Sequence, residues 1–263
     1  MGCIVATARA VGNGITATAT PIGSGREVSF RALQSGLSAS LGARALSAAP
    51  SFTTQVSPIS LSMAMTCAVG EMVYTTLPYI EATGTQHIDT AYIPNSTTEV
   101  EIGVSGITAN SFSSSTGTWF LGARAGYLNN AYGFYYNPTL QQFYYAFRNI
   151  MPTAKYTTLY NAYKVIKTNA TGLYVDGAKV IGITSSAFTA PVSLALCGLN
   201  NNGSVISHTS FKIHYCKIWD SGNLVRDYIP VIDKEGTVCM LDKVSGEFFY
   251  NQCTGEFIAG QEL

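Results

Sequence analysis

Apolar and polar residues alternate one by one along much of this chain, and that period leaves little freedom in choosing a fold. Ile15-Thr16-Ala17-Thr18-Ala19-Thr20, Val28-Ser29-Phe30-Arg31-Ala32 and Ile59-Ser60-Leu61-Ser62-Met63-Ala64-Met65 send successive side chains to opposite faces. This is the pattern of antiparallel strands with one face on a core and the other on solvent. After residue 77 no segment sustains a three-to-four periodicity over twelve residues, although Thr139 to Phe147 could form one or two helical turns. Leu173-Tyr174-Val175-Asp176-Gly177-Ala178-Lys179-Val180 places Asp-Gly between two apolar-rich runs, the composition of a type I′ hairpin turn, whose two central residues need positive φ. Phe211 to Trp219 reads as a long strand closed by Asp220-Ser221-Gly222-Asn223; Leu224 to Ile229 resumes as a strand that Pro230 stops. The expectation is an all-β protein.

The chain divides by composition. Residues 1–73 hold Arg9, Arg26, Arg31 and Arg44 against Glu27 and Glu71, with no Lys, Asp, Trp or Tyr; from Tyr74 on the chain is rich in Tyr and carries all its Lys and Asp. A boundary at 73–77 follows, with Val73 to Pro78 as an extended connector. Breaks at Gly12-Asn13-Gly14, Gly23-Ser24-Gly25 and Ala49-Pro50-Ser51 cut the first part into short strands. That spacing predicts an immunoglobulin-like β-sandwich over 1–73 with about six or seven strands. Phe30 and Phe52 are its only aromatic residues, so its core is thin and gains from packing on neighbours; an attachment or oligomerisation role is expected. Residues 77–263 predict a larger sandwich of about a dozen strands.

Charge narrows the function classes. Charged residues make up 11% of the 263 residues, and Lys+Arg and Asp+Glu balance at 15 each. Without a basic excess to neutralise phosphates, nucleic-acid binding is not expected, and low net charge favours association with other subunits. No apolar run reaches the length of a membrane span. The N-terminal stretch lacks the features of a secretory leader, and Met1-Gly2-Cys3 fails the acylation pattern at Ala6.

Spacing offers catalysis and metals little. The six cysteines, at 3, 67, 197, 216, 239 and 253, include no Cys-x-x-Cys pair, and buried free thiols are expected. His87, His208 and His214 fall in no ligand or catalytic spacing, and no Gly-x-Ser-x-Gly elbow occurs. Glu99 and Glu101 share a strand face at period two but read as solvent-facing rather than as a glycosidase pair. Arg226 and Asp227 read as charges that pair across a strand edge or pin a loop, not as ligand contacts. No catalytic residue, cofactor or metal is therefore expected.

Leu77-Pro78-Tyr79-Ile80-Glu81-Ala82-Thr83-Gly84-Thr85-Gln86-His87-Ile88-Asp89-Thr90 opens an ordered set of stations. Phe120 to Arg124, Leu173 to Gly177, Lys217 to Asp220 with Leu224 to Pro230, Gly236 to Leu241, Phe248 to Tyr250 and Gly255 to Phe257 follow in turn. As a set, over 77–263, these resemble the laminin-G-like, concanavalin A-like jelly-roll domains of bacteriophage structural proteins. The resemblance implies a virion protein, a head or tail fibre or decoration subunit assembled in the bacterial cytoplasm. Its partners would be other virion proteins and further copies of itself, a trimer being the first expectation. The displayed jelly roll would bind host-surface or mucosal glycans or, alternatively, serve purely in subunit contacts. Some relatives carry calcium, but no Asp-x-Asp-x-Asp run is present here, and the resemblance assigns Asp89 to hydrogen bonding with a neighbouring loop.

The Tyr-rich stretch from Trp119 to Phe147 is the candidate for sugar recognition, which combines aromatic rings with amides and hydroxyls. The candidate contacts are Trp119, Tyr127, Asn129, Tyr132, Tyr135 and Tyr144. The same rings could instead line the core or a subunit contact. Asn200-Asn201-Asn202-Gly203 reads as a turn, with a loop contact to a glycan as its second reading.

Overall fold

The computed structural model describes the backbone of strands at 4–11, 14–21, 27–32, 39–44 and 51–55, and residues 74–108, 111, 118–184 and 186–261 with their side chains. The chain forms two compact units, Met1–Met72 and Val73–Leu263. In the first, β1 (Ile4–Val11), β2 (Gly14–Pro21), β3 (Glu27–Ala32), β4 (Ala39–Arg44) and β5 (Ser51–Gln55) form an antiparallel sheet in the order β1-β2-β5 and a β3-β4 hairpin. The alternating runs at 15–20 and 28–32 fall in β2 and β3. The run at 59–65 and most of the expected turn residues lie outside the described residues.

The second unit continues with β6 (Tyr74–Thr76), β7 (Ile80–Thr83), β8 (Ile88–Asp89), β9 (Thr98–Ser105), β10 (Thr118–Arg124), β11 (Ala131–Asn137), β12 (Gln142–Arg148), β13 (Thr153–Lys155), β14 (Lys164–Asn169) and β15 (Gly172–Val175). There follow β16 (Ala178–Gly182), β17 (Ala195–Leu196), β18 (Leu199–Asn201), β19 (Ser204–Ile206), β20 (Ser210–Asp220), β21 (Asn223–Asp233), β22 (Val238–Asp242), β23 (Glu247–Phe249) and β24 (Ile258–Ala259). No α-helix occurs among the described residues, and none of their segments is a helix long and apolar enough to cross a membrane.

These strands form a β-sandwich of two antiparallel sheets. The larger runs β16-β15-β14-β9-β20-β21-β22-β23, with β6 added to β21 and β7 to β20; the smaller runs β13-β12-β11-β10-β17-β8. A parallel β10–β18 pair, Ala123 opposite Asn200, is the exception to antiparallel pairing among the described strands. Val100, Ile102 and Val104 of β9 and Ile213, Cys216 and Ile218 of β20 meet Phe120, Tyr132, Phe134, Phe143, Tyr145 and Phe147 of the smaller sheet in one buried cluster. Burying each such side chain stabilises by about 1.5–3 kcal/mol. The core tyrosines satisfy their hydroxyls on backbone carbonyls, as buried Tyr must: Tyr145 on Asn169, Tyr136 on Tyr156 and Tyr228 on Thr90, at 2.9, 2.8 and 2.9 Å.

The turn chemistry reads through. Asp176 and Gly177 take φ of 49° and 79° between paired Val175 and Ala178. Ser221 and Gly222 repeat the geometry, at 50° and 81°, between Asp220 and Asn223. Asn202 and Gly203 turn β18 into β19.

Three local expectations give way. Thr139 leads not into a helical turn but into a loop and then β12, because Gln142 to Arg148 pairs along its length with Asn137 to Ala131. Tyr74 to Thr76, read as connector, pairs with Asp233 to Val231 as a strand of the larger sheet. Pro230 does not stop β21, which runs on to Asp233. In an antiparallel strand a residue's N and O point to the same side; the Pro230 carbonyl accepts from Leu77 N at 2.9 Å, one residue past the end of β6, so its missing N–H costs the ladder little.

Asp220 anchors the approach to β9. Its carboxylate accepts from the Thr97 hydroxyl at 2.7 Å, Asn95 Nδ2 at 3.2 Å and Ser221 Oγ at 3.2 Å. The Thr97 bond, above all, holds its carboxyl below the usual range. With the folded pKa below the unfolded value of about 3.9, the unfolded chain takes the proton first. The contribution to stability is complete above that value and is lost as pH falls through the folded pKa. Thermal melts of Asp220→Asn should therefore lie below wild type at pH 6, with the gap narrowing toward pH 3; an equal gap at both values would refute an ionic contribution.

Candidate functional site

β11 and β12 carry aromatic residues on both faces, and pleating sorts them. Tyr132, Phe134 and Tyr136 point into the sandwich, as do Phe143, Tyr145 and Phe147. The intervening residues stand on the outer face, where strand register lines up Trp119, Tyr135 and Tyr144 across β10, β11 and β12. Trp119 and Tyr135 rings lie 5.1 Å apart at 41°, and Tyr135 and Tyr144 4.4 Å apart at 9°. Cross-strand aromatic pairs of this kind contribute about 0.5–1.5 kcal/mol each.

Backbone geometry makes room for this ladder. A β-bulge between Trp119 and Leu121 re-aims β10. At Gly133, φ is 134° and a Cβ would lie 2.3 Å from the Leu121 carbonyl oxygen, so only glycine lets β11 close on β10 there. A Cβ on Gly122 would lie 2.6 Å from the Trp119 ring, which lies down over it. Trp119 is 6% exposed and packs with Ala131, Ala146 and Leu199 in a small cluster on the outer face, joined by Tyr135 and Met151.

Polar groups border the ladder. The Arg124 guanidinium stands 5.8 Å from the Trp119 ring centroid, and its Nε donates to Asn201 Oδ1 at 3.3 Å. Partial burial lowers the Arg124 pKa, opposed by nearby Tyr127 and Tyr135. Burial also raises the Tyr135 hydroxyl, with Tyr144 adding to the rise. In the β10–β11 loop Tyr127 is 78% exposed and Asn129 is exposed. No protein-family model and no curated protein matches the sequence. The geometry must therefore carry the functional reading.

Of the six expected contacts, five border this outer face or its loop: Trp119, Tyr127, Asn129, Tyr135 and Tyr144. Tyr132 does not. It is fully buried, its hydroxyl 3.2 Å from the Thr98 carbonyl oxygen and 3.1 Å from Thr168 Oγ1, because it sits one residue out of phase with Tyr135 on a pleated strand. The ladder also differs from a flat stacking platform. Tyr135 stacks on Tyr144 and also meets Trp119, so the half-buried rings of the ladder cover one another, and Tyr127 of the adjacent loop is the widely exposed ring.

Other polar residues serve the scaffold. Glu99 pairs with Lys167 at 2.6 Å and Glu101 accepts from the Tyr215 hydroxyl at 3.0 Å, so neither is simply solvent-facing. Arg226 and Asp227 pair across to neighbouring strands and their turn, as expected: Asp227 stands opposite Lys217 at 3.9 Å and lies 3.5 Å from Lys243, and Arg226 lies 3.7 Å from Asp242. Asp89 accepts from Ala91 N at 2.9 Å, in the loop that follows β8. His214 meets Ser105 Oγ at 2.8 Å between the rings of Tyr79 and Tyr163. Cys197, Cys216 and Cys239 are buried free thiols, whereas Cys253 is exposed and lies beside His87 and His208. Sequence spacing gave no sign of that grouping, because the three residues come from separate loops.

Proposed function

We propose that this chain is a bacteriophage virion structural protein whose second unit, a laminin-G-like jelly roll, is displayed and binds glycans through the outer face of its smaller sheet. The first unit, an immunoglobulin-like sandwich on this reading, attaches the chain to other virion proteins and to further copies of itself, with a trimer as the first expectation. The observation that carries the glycan reading is the stack of Tyr135 and Tyr144 on one face, with Arg124 beside it and the exposed Tyr127 and Asn129 on the β10–β11 loop. Phenol and amide groups read sugar hydroxyls, while the rings of Tyr144 and Tyr127 cover sugar C–H surfaces. Strands repeat at about 4.8 Å, so the ladder runs along the sheet at a pitch comparable with the repeat of a pyranose chain. A single site would be weak, with Kd on the order of millimolar, and many copies on one particle would raise it by avidity.

The closed Tyr135–Tyr144 stack supports a second reading, in which the ladder stiffens a surface that meets a neighbouring subunit. Retention on immobilised host polysaccharide separates the two. Tyr127→Ala/Tyr144→Ala should lose retention at least about tenfold, at a stability cost of about 1 kcal/mol for two partly exposed rings. Unchanged retention overturns the glycan reading; a changed particle size in light scattering with no glycan binding by the parent favours the second.

A further inference from the structure

We propose that His87, His208 and Cys253 form a binding site for a divalent cation of the zinc class. Their ligand atoms all lie within 4.8 Å of one another. Imidazole nitrogen and thiolate sulfur are the donors this borderline-soft ion prefers. Distances within the group fit a tetrahedral ion. His87 Nδ1 and His208 Nε2 are 3.3 Å apart; two nitrogens about 2.0–2.1 Å from one tetrahedral ion are separated by about 3.3–3.4 Å. A thiolate at about 2.3 Å belongs about 3.6 Å from each nitrogen, which Cys253, exposed on its loop, reaches by closing about 1 Å.

The three ligands are anchored by backbone bonds that do not depend on the ion. His87 N donates to Asn251 Oδ1 at 3.1 Å, and Gln252 N donates to the His87 carbonyl at 3.0 Å. The same Asn251 Oδ1 accepts from Cys253 N at 3.1 Å, and Asn251 Nδ2 donates to the carbonyls of Cys253 and Gly255 at 2.9 and 2.8 Å. One amide thus holds both the His87 backbone and the Cys253 loop. His208 is fixed from its neighbours: Trp119 N donates to the Ser207 carbonyl at 3.0 Å, and the buried Thr209 hydroxyl to the Trp119 carbonyl at 2.9 Å. Burial lowers both imidazole pKa values, and the His208 charge adds to the effect at His87.

On binding, the Cys253 thiol releases its proton to solvent, the ring proton held in the His87–His208 hydrogen bond shifts to the other nitrogen of its imidazole, and the thiolate, His87 Nδ1 and His208 Nε2 each donate a lone pair. Cys253 is exposed, so solvent water would supply the fourth ligand. The ion would clip the segment before β8 and the loop before β20 to the loop after β23. These loops lie at chain positions far apart, so the site works as a cross-link for the second unit.

Chelator-treated full-length protein titrated with Co²⁺ in place of zinc tests this. Wild type should develop intense visible bands of tetrahedral cobalt and a near-ultraviolet thiolate-to-cobalt band, and Zn²⁺ should raise its Tm by roughly 5 °C at saturation. Cys253→Ser, at an exposed position, should fold normally, lose the near-ultraviolet band and bind at least about 100-fold more weakly; His208→Gln should weaken binding similarly. A Co²⁺ spectrum matching the hexaaquo ion, or a Tm indifferent to Zn²⁺, overturns the proposal. A thiolate band that survives in Cys253→Ser also overturns it, since another cysteine is then the ligand.

Discussion

Truncating Tyr132 to alanine is expected to destabilise the second unit by about 3–5 kcal/mol, the cost of emptying a large aromatic site in a closed core. The ring packs edge-on to Tyr145 at 6.1 Å and against Phe147 at 6.2 Å. Its loss also deprives Thr168 Oγ1 and the Thr98 carbonyl of a buried partner. Tyr132→Phe keeps the volume and should cost only about 1 kcal/mol, the net value of the hydroxyl's bonds. Three residues along the same strand, Tyr135→Ala should cost less than Tyr132→Ala, because its ring is partly exposed and supported from one side of the sheet. Urea titrations of the three variants check the order. Equal losses at 132 and 135 would mean that the two faces of β11 are not distinct.

Asp242→Ala is expected to cost a comparable 3–5 kcal/mol, roughly, the penalty for breaking a buried charge arrangement by removing one member. Asp242 is fully buried. Its Oδ1 accepts from Asp227 N at 2.7 Å and Val244 N at 3.1 Å, and its Oδ2 from Ser245 N at 3.3 Å, with Arg226 Nε at 3.7 Å. Alanine leaves these backbone donors without their acceptor and the guanidinium without its counter-charge. Asp242→Asn keeps an acceptor for Asp227 and Val244 and should recover a large part of the loss. A urea midpoint for Asp242→Ala within about 1 kcal/mol of wild type would show that water replaces the carboxylate.

The hairpins were legible because the chemistry of Asp176-Gly177 and Ser221-Gly222 is local: two consecutive positive φ values select these residues wherever the chain stands. The smaller sheet was harder. Ala131 to Asn137 has aromatic residues at 132, 134, 135 and 136, so the alternation that marks a half-buried strand is erased and the phase of the pleat cannot be read from composition. Tyr132 and Tyr135 differ only by that phase, and the phase is set by pairing with β10 and β12. Pro230 misled for a related reason: its effect depends on whether a neighbouring strand still needs its N–H, and β6 ends at Thr76. The His87, His208 and Cys253 group lay beyond any spacing rule, since His87 and His208 alone are 121 positions apart.

The separation of inward and outward residues on β11 and β12 also bears on how such a surface can change over generations. Inward positions 132, 134, 136, 143, 145 and 147 hold the fold, whereas Tyr135 and Tyr144 alternate with them and contribute far less to it. Substitutions at the outward pair can therefore alter what the face meets while drawing little on a stability reserve that is only marginal in most proteins. Gly133 sets the limit of that freedom, since any side chain there strikes the backbone of β10. A face built this way can accept new outward side chains around Gly133 and a fixed interior without unmaking the sheet.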